Sequence, residues 1–157
     1  MQVRVARLED ASAVARLSAE LGEVLRGAGS PLGAALSKAE IVRDGFGSSP
    51  AFGVIVAELD GLIAGYLLHH PSYDPDLGGR ATAIVDLCVS AVARRRGVGR
   101  ALVDAALEHA RQVGSQALSW RVRPSNRGAM AFYESLGASV DAGPVCMHLP
   151  VVRGSKG

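Results

Sequence analysis

One run of sequence limits the possible folds more than any other. A near-continuous apolar segment, 82–89, leads through a loop rich in glycine and arginine into an amphipathic segment, 97–113. Apolar runs of this length are typical of central strands, and the amphipathic period predicts a helix. Because 116–122 predicts another strand, the three segments form one right-handed β-α-β unit. The chain is therefore expected to be of the α/β (α+β) class.

The remaining segments predict a mixed sheet with helices on both faces. Ser37 and Glu40 have the spacing of a capping box, and Asp60-Gly61 predicts a type I′ hairpin turn. Further strands are predicted over 2–7, 52–59, 62–69 and around 145–151, with a short one near Ser139-Val140, and further helices over 10–26, 38–44 and 126–136.

Composition favours one folded domain over 1–152, followed by a short tail over 153–157. Of the 157 residues, 48% are hydrophobic and 20% charged, which is ordinary for a globular protein. The apolar runs are far short of the ~20 residues that span a bilayer, and the N-terminus lacks the apolar core of a secretory signal. Cys88 and Cys146 lack metal or redox spacing. We expect a cytoplasmic protein without a membrane segment or a metal site.

Charge is unevenly distributed along the chain. Residues 1–80 carry a net charge of −3 and residues 81–157 a net charge of +5, and 15 of the 17 basic residues are arginine. A basic half indicates an anionic partner. Aromatic residues make up only 4% of the chain, which is little material for stacking on bases. We therefore expect a phosphorylated small molecule rather than nucleic acid, although codon bias would also enrich arginine.

The loop between the central strand and the following helix has the chemistry of a pyrophosphate site. The start of a helix offers unpaired N–H groups, and glycine lets an anion approach the backbone closely. Leu102 stands where a dinucleotide fingerprint needs glycine or alanine, and no P-loop lysine follows. A solvated, arginine-rich helix start is the alternative. The residues concerned are Arg94, Arg95, Arg96, Gly97, Gly99 and Arg100.

A second segment, 126–137, places polar groups on one side of a predicted helix. Asn126 and Tyr133 are seven residues apart and so lie two turns from each other, with the small Ala129 between them. Such a stripe can line a groove. A plain helix cap at Asn126 and a packing tyrosine at Tyr133 are the alternatives.

Taken together, the motifs Arg94–Gly99 and Asn126–Gly137 resemble the GNAT (Gcn5-related) N-acetyltransferase superfamily. The resemblance implies a mostly antiparallel sheet of six to seven strands, about four helices, and strands 4 and 5 that splay apart around acetyl-CoA. It also implies a homodimer and Tyr133 as the general acid for the departing thiolate. The residues implied to bind the cofactor are Leu87, Cys88, Val89, Arg94, Arg95, Arg96, Gly97, Val98, Gly99, Arg100, Asn126, Ala129 and Tyr133.

The segment Leu36–Gly47 is similar to one in the spermidine/spermine (diamine) N-acetyltransferases, as are Gly65-Tyr66 and Ser72–Pro75. This narrower resemblance implies an acceptor that is a small primary amine, either polyamine-like or amino-acid-like. The residues implied to bind it are Asp74, Asp86 and Trp120, with Asp86 also catalytic. That subfamily carries two adjacent acids in its fourth strand, whereas Val85 precedes Asp86 in this chain.

Several alternatives stay open from the residues alone. On a regular strand, Val85 and Asp86 would point to opposite faces. One of His69 and His70 should face the cleft and has the chemistry of a base. Cys88 would be a nucleophile only if a base activated it. A coenzyme-binding regulatory module without turnover, or an enzyme for protein or aminoglycoside amines, would have the same cofactor motifs.

Overall fold

A computed structural model of the chain describes residues 1–27, 35–76 and 78–140. The chain divides into two compact units, Met1–Arg121 and Val122–Gly157, and each is described by itself. Within the described residues, no helix combines the length and the apolar character that crossing a bilayer requires.

The first unit is built on a sheet of five strands in the order β1-β2-β3-β4-β5. Every neighbouring pair is antiparallel except β4 and β5, which are parallel. The α/β class with a mixed sheet is thus confirmed. The strands are β1 (Gln2–Val5), β2 (Gly53–Leu59), β3 (Leu62–Asp74), β4 (Gly79–Val89) and β5 (Ala117–Ser119).

The expectation of six to seven strands is not matched in the part of the chain that the structure describes. Residues Ser139 and Val140 are not in a strand, and the strand predicted around 145–151 lies outside the described residues. The expectation of about four helices is met. They are α1 (Ala11–Gly27), α2 (Lys38–Phe46), α3 (Val98–Gln112) and, in the second unit, α4 (Arg127–Ser135), with short 3-10 turns over Leu8–Asp10 and Ala91–Ala93.

The two local motifs predicted from sequence are both present. The Ser37 hydroxyl accepts a hydrogen bond from the Glu40 backbone, and the Glu40 carboxylate accepts one from the Ser37 backbone, which completes the capping box of α2. Asp60 and Gly61 both have positive φ, at 54° and 78°, as a type I′ turn requires.

The hairpin of β3 and β4 is longer than predicted and carries a bulge. It pairs from Gly65 opposite Val89 to Asp74 opposite Gly79, although the histidine-proline sequence after residue 68 suggested an earlier end. Leu68 pairs with Asp86 and His69 with Ile84, so Val85 between them has no partner on β3. Bulges disturb the alternation of side chains. The prediction that Val85 and Asp86 point to opposite faces rested on a regular strand and does not apply here.

Helices cover the two faces of this sheet. On one face, Val14 and Leu17 of α1 and Ile41 of α2 pack with Tyr66 and Leu68 in the main apolar core. On the other face, α3 lies close to β3. A Cβ atom at Gly65 would come within 2.9 Å of the Cys88 carbonyl oxygen and 3.1 Å of a Leu102 methyl group. This glycine therefore lets the start of α3 lie directly against β3.

Candidate functional site

Strands β4 and β5 pair over only three positions before they part. Ala81 lies opposite Ala117, Thr82 opposite Leu118, and Ala83 opposite Ser119. Beyond Ala83, β4 continues to Val89, and in the described part of the chain no strand pairs with that stretch on the β5 side. We call this the β4–β5 split. Unpaired strand backbone offers N–H and C=O groups to an extended ligand.

A pocket of about 410 Å³ opens at the β4–β5 split. Its wall combines aliphatic side chains from β4 with polar and aromatic groups from β3 and from the chain after β5. Such a mixture suits a small ligand with a few polar groups. The lining residues are His70, Ala83, Ile84, Val85, Ser119, Trp120 and Arg121. The structure thus brings Trp120, an expected substrate residue, to the same pocket as β4.

The two adjacent histidines of β3 lie in different surroundings. His70 lines the pocket, and its Nδ1 lies 2.7 Å from the carbonyl oxygen of Pro71. A carbonyl oxygen only accepts hydrogen bonds, so Nδ1 carries the hydrogen and Nε2 of the neutral ring is basic. His69 is buried against His109 of α3, with ring centroids 4.4 Å apart. Of the two histidines, His70 is the one that lines this pocket, and its facing a substrate cleft stays a prediction.

Asp86 lies beside the bulge and is held by a tyrosine. The hydroxyl of Tyr66, which is fully buried, donates a hydrogen bond of 2.6 Å to Asp86 Oδ2, and the backbone N–H of Leu87 also donates to this carboxylate. Burial raises the pKa of Asp86, and the two hydrogen bonds partly offset that rise. The carboxylate is therefore fixed in position and more basic than an ordinary aspartate.

Asp74, the other acidic residue expected to bind substrate, is not among the residues that line the pocket. It ends β3 opposite Gly79 and accepts a hydrogen bond from the Asp76 backbone at 2.9 Å. At ~3.3 Å of rise per residue, four residues of strand separate it from His70 by roughly 13 Å, and it is roughly 20 Å from Asp86. The hairpin extends past the residues where it was expected to end, which sets Asp74 apart from Asp86, and the role of Asp74 in substrate binding stays a prediction.

The loop after β4 presents the start of α3 to solvent. Gly97 has a φ of 81° and precedes the helix, and no side chain caps this end. The Ala101 N–H bonds to the Gly97 carbonyl oxygen at 3.0 Å, so the N–H groups of Val98, Gly99 and Arg100 precede the helical ladder and have no partner within it. Arg95 also adopts a positive φ, at 61°, a conformation that is uncommon without glycine. The backbone here is shaped to receive an anion.

The arginine side chains of this loop are exposed, and the polar contacts of three of them are long. Arg94 Nε lies 3.4 Å from the Val89 carbonyl oxygen, and Arg96 lies 3.4 Å from Asp60. Arg100 is 4.0 Å from Asp104 on the next turn of the helix. Exposed pairs at such distances contribute little to stability. These side chains therefore remain available to phosphate groups.

Cys88 is a packing residue within β4. Its side chain is 4% exposed and donates a hydrogen bond to the Leu17 carbonyl oxygen at 3.3 Å. Burial raises the pKa of the thiol to about 12. A thiol that stays protonated at neutral pH is a poor nucleophile, so the side chain does not favour a covalent acetyl-cysteine.

The second unit contains the other expected cofactor residues. Asn126 caps α4, since its Oδ1 accepts a hydrogen bond from the Ala129 N–H at 3.1 Å. The plain capping role that the sequence left open is therefore present. Tyr133 lies near the end of the same helix, with its ring centroid 5.0 Å from that of Phe132. The helix begins at Arg127, one residue later than predicted.

Sequence reasoning missed Ser119 and Arg121 of the pocket and the Tyr66–Asp86 hydrogen bond. The strand predicted over 116–122 did not show where pairing ends, and only the pairing register shows that β4 and β5 part after Ser119. Tyr66 had one signal, the Gly65-Tyr66 pair noted in the diamine-type resemblance. Over 1–27, 35–76 and 78–140, no group of three or more His, Cys, Asp or Glu side chains is arranged to hold a metal ion.

Comparison with known proteins gives a consistent assignment. The family model described as "Acetyltransferase (GNAT) family" matches residues 26–138. An uncharacterized N-acetyltransferase of Bacillus subtilis (strain 168), YhfO, is 31% identical over 153 residues, which is 96% of this chain and 99% of that protein.

Two further proteins are similar over different shares of the chain. The L-ornithine N5-acetyltransferase NATA1 of Arabidopsis thaliana is 33% identical over 81 residues, covering 52% of this chain and 36% of that protein. The crystal structure of a point mutant of the BH1408 protein from Bacillus halodurans superposes with a TM-score of 0.79 at 25% identity, covering 97% of this chain and all of that one.

Proposed function

The chain belongs to the GNAT family of acetyltransferases, and we propose that it transfers an acetyl group from acetyl-CoA directly to the primary amine of a small molecule. The pocket at the β4–β5 split carries this proposal, because it lies where β4 parts from β5, and β4 then runs on to the loop before α3. The proposed site for acetyl-CoA and the proposed site for the amine therefore lie along the same strand, β4.

The described residues fit acetyl-CoA, the donor of the acetyl group. The unpartnered N–H groups of Val98, Gly99 and Arg100 and the cationic side chains around them suit a pyrophosphate. The free edge of β4 at Leu87, Cys88 and Val89 suits the amide groups of a pantetheine arm. We assign these residues, with Arg94, Arg95, Arg96 and Gly97, to cofactor binding. The family resemblance adds Asn126, Ala129 and Tyr133 as proposed cofactor residues.

Acetyl-CoA supplies a thioester whose carbonyl carbon forms a bond to the amine nitrogen as its bond to sulfur breaks, so that coenzyme A leaves as a thiol. The chain has to polarise that carbonyl, take a proton from the amine and return one to sulfur. We assign the first task to backbone N–H at Val89 and the last to the hydroxyl of Tyr133 as general acid.

Two groups have the chemistry to take the amine proton. Asp86 attracts an ammonium group, and its raised pKa makes it a better proton acceptor than an ordinary aspartate. His70 lines the pocket with Nε2 as its basic nitrogen. We assign Asp86 to hold the amine and pass its proton on, and His70 to accept a proton from within the pocket.

The acceptor is proposed to be a polyamine-like or amino-acid-like small amine. The pocket volume of about 410 Å³ suits a molecule of that size. NATA1 is named for acetylating L-ornithine, an amino acid with a side-chain amine, which supports the amino-acid side of this class. The valine at position 85, where diamine enzymes carry an acid, weighs against the polyamine side.

The test is an assay of free thiol release from acetyl-CoA with a panel of diamines, polyamines, amino acids and aminoglycosides. We expect turnover with at least one small amine. Tight acetyl-CoA binding without release of thiol for any amine would indicate a regulatory module instead. Tyr133→Phe should slow turnover by about 100-fold, since proton donation to the leaving group is lost, while acetyl-CoA binding persists.

Tyr73→Phe provides the matched control for the tyrosine substitution. Its side chain is 68% exposed near the tip of the β3–β4 hairpin, so its hydroxyl can be removed without disturbing the core. Equal rates for Tyr133→Phe and Tyr73→Phe would remove Tyr133 from the mechanism.

A further inference from the structure

The two strands that bound the β4–β5 split present opposite chemistry at matching positions. Ala83 and Ser119 are the last paired residues, and because the strands are parallel, Val85 and Arg121 each follow two residues later. Val85 is 55% exposed and lines the pocket together with Arg121. One wall is therefore aliphatic and the other carries a guanidinium group.

One charged side chain lines the pocket, and an acid lies on β4 next to a lining residue. Arg121 is the one permanently charged side chain among the described residues that line it. Asp86 follows Val85 on the opposite strand, where its carboxylate already accepts hydrogen bonds from Tyr66 and Leu87. A ligand that carries a carboxylate in addition to its amines matches the pocket, since the guanidinium group that lines it would have an opposite charge near it.

We propose that the pocket takes an acceptor that carries a carboxylate as well as the reacting amine, of the diamino acid class, and that Arg121 binds the carboxylate. This inference rests on the proposed acetyl transfer. A guanidinium group has five N–H donors and pairs with a carboxylate through two parallel hydrogen bonds.

The same geometry disfavours a diamine. A diamine that reacts at one end brings its second ammonium group into the pocket that Arg121 lines, where like charges repel. No second acid is available at position 85 to offset that repulsion, because Val85 ends in two methyl groups. The pocket therefore distinguishes an amine from its carboxylated counterpart by charge rather than by length.

Matched pairs of acceptors test this directly. L-ornithine and putrescine differ only by the carboxylate, as do L-lysine and cadaverine, and 2,4-diaminobutyrate and 1,3-diaminopropane. We expect kcat/KM to be about 10- to 100-fold higher for the acid of at least one pair, the range that one charged hydrogen-bonded contact provides. Equal or higher kcat/KM for the diamine in every pair would overturn the inference.

Arg121→Gln separates recognition from a structural role. We expect it to raise KM for the preferred diamino acid by about 10-fold or more, to change kcat little, and to leave KM for the matching diamine unchanged or lower. Arg121→Lys should restore part of the loss. Arg123→Gln, two residues along the chain and absent from the pocket wall, is the control and should behave like wild type.

The possible results distinguish a failure of this inference from a failure of the proposed function. Acetylation of diamines but not of their acids would uphold acetyl transfer and refute the role of Arg121. An equal loss with both members of a pair in Arg121→Gln would likewise refute it, because a general disturbance would be its cause. Failure with every amine tested would refute the proposed function itself, and with it the inference that rests on it.

Discussion

The hydroxyl of Tyr66 donates a hydrogen bond of 2.6 Å to Oδ2 of Asp86, and this bond lowers the pKa of a carboxyl group that burial raises. Tyr66→Phe should therefore raise the pKa of Asp86 further. If Asp86 acts as its carboxylate, the acidic limb of the pH profile of kcat/KM moves to higher pH. Tyr73→Phe is the control. If the acidic limb stays at the same pH in Tyr66→Phe, ionisation of Asp86 does not determine that limb.

Asp86→Asn should change how stability depends on pH. A carboxyl group whose pKa is higher in the folded chain than in the unfolded chain binds more protons when folded, so wild type loses stability as pH rises from the usual pKa to the raised one. The asparagine variant lacks that dependence, and its amide oxygen can still accept from Tyr66. Urea unfolding of both proteins between pH 3 and pH 8 measures the difference, which should favour the variant at the higher pH.

His69 should make the protein sensitive to acid. It is 8% exposed, and burial, aided by the nearby His109 and His70, lowers its pKa to about 4. The unfolded chain takes up this proton near the ordinary value of ~6.5, so stability is present above that pH and is lost as pH falls from there toward about 4, by as much as ~3 kcal/mol.

His69→Gln measures that contribution, because it removes the titrating ring. Gly53 lies directly against the ring, where a Cβ would come within 2.6 Å of it, so a smaller side chain fits. Unfolding of the variant should depend less on pH between 4 and 6.5 than unfolding of wild type. Identical dependence in wild type and the variant would contradict the assignment to His69.

Gly97 allows a test of the anion site with a matched control. It has a φ of 81°, Gly114 beyond the other end of α3 has a φ of 73°, and an added Cβ would meet nothing within 4 Å at either position. Alanine at each should therefore cost a similar ~1 kcal/mol of backbone strain. Only Gly97→Ala should weaken acetyl-CoA binding, measured by calorimetry, because ~22 Å of helix separates the two sites. Equal affinities would argue against binding at this loop.

Cys88→Ala should retain most of the turnover rate, because the thiol is buried and its pKa is raised to about 12. Mass spectrometry of wild type quenched during turnover should find no acetyl group on Cys88. Cys88→Ser is a useful companion, since it keeps a small polar group next to the Leu17 carbonyl oxygen. A fall of 1000-fold in both variants would instead indicate covalent catalysis.

Local chemistry was predictable from sequence where it depends on neighbours in the chain. The capping box at Ser37 and Glu40 and the turn at Asp60-Gly61 formed as predicted, because each is defined by residues within four positions. The strand-loop-helix passage through Gly97 was predictable for the same reason. The cofactor of the family is acetyl-CoA, and its binding at this loop is a proposal.

Features that depend on pairing between distant strands were not predictable. The bulge at Val85 lies in an apolar run that looks the same whether or not each residue is paired, and only the register with β3 places it. The separation of Asp74 from Asp86 follows from the length of the hairpin, which no local motif encodes. Arg121 lines the pocket because β4 and β5 part after Ala83, and no local motif predicts where their pairing ends.

The early end of pairing at Ala83 also affects the tendency of the protein to aggregate. A strand edge without a partner offers its backbone to any extended polypeptide that reaches it, and such edges start aggregation. A ligand that occupies the edge protects the folded chain by mass action. If acetyl-CoA occupies this edge as proposed, its binding should therefore also slow aggregation of the folded protein.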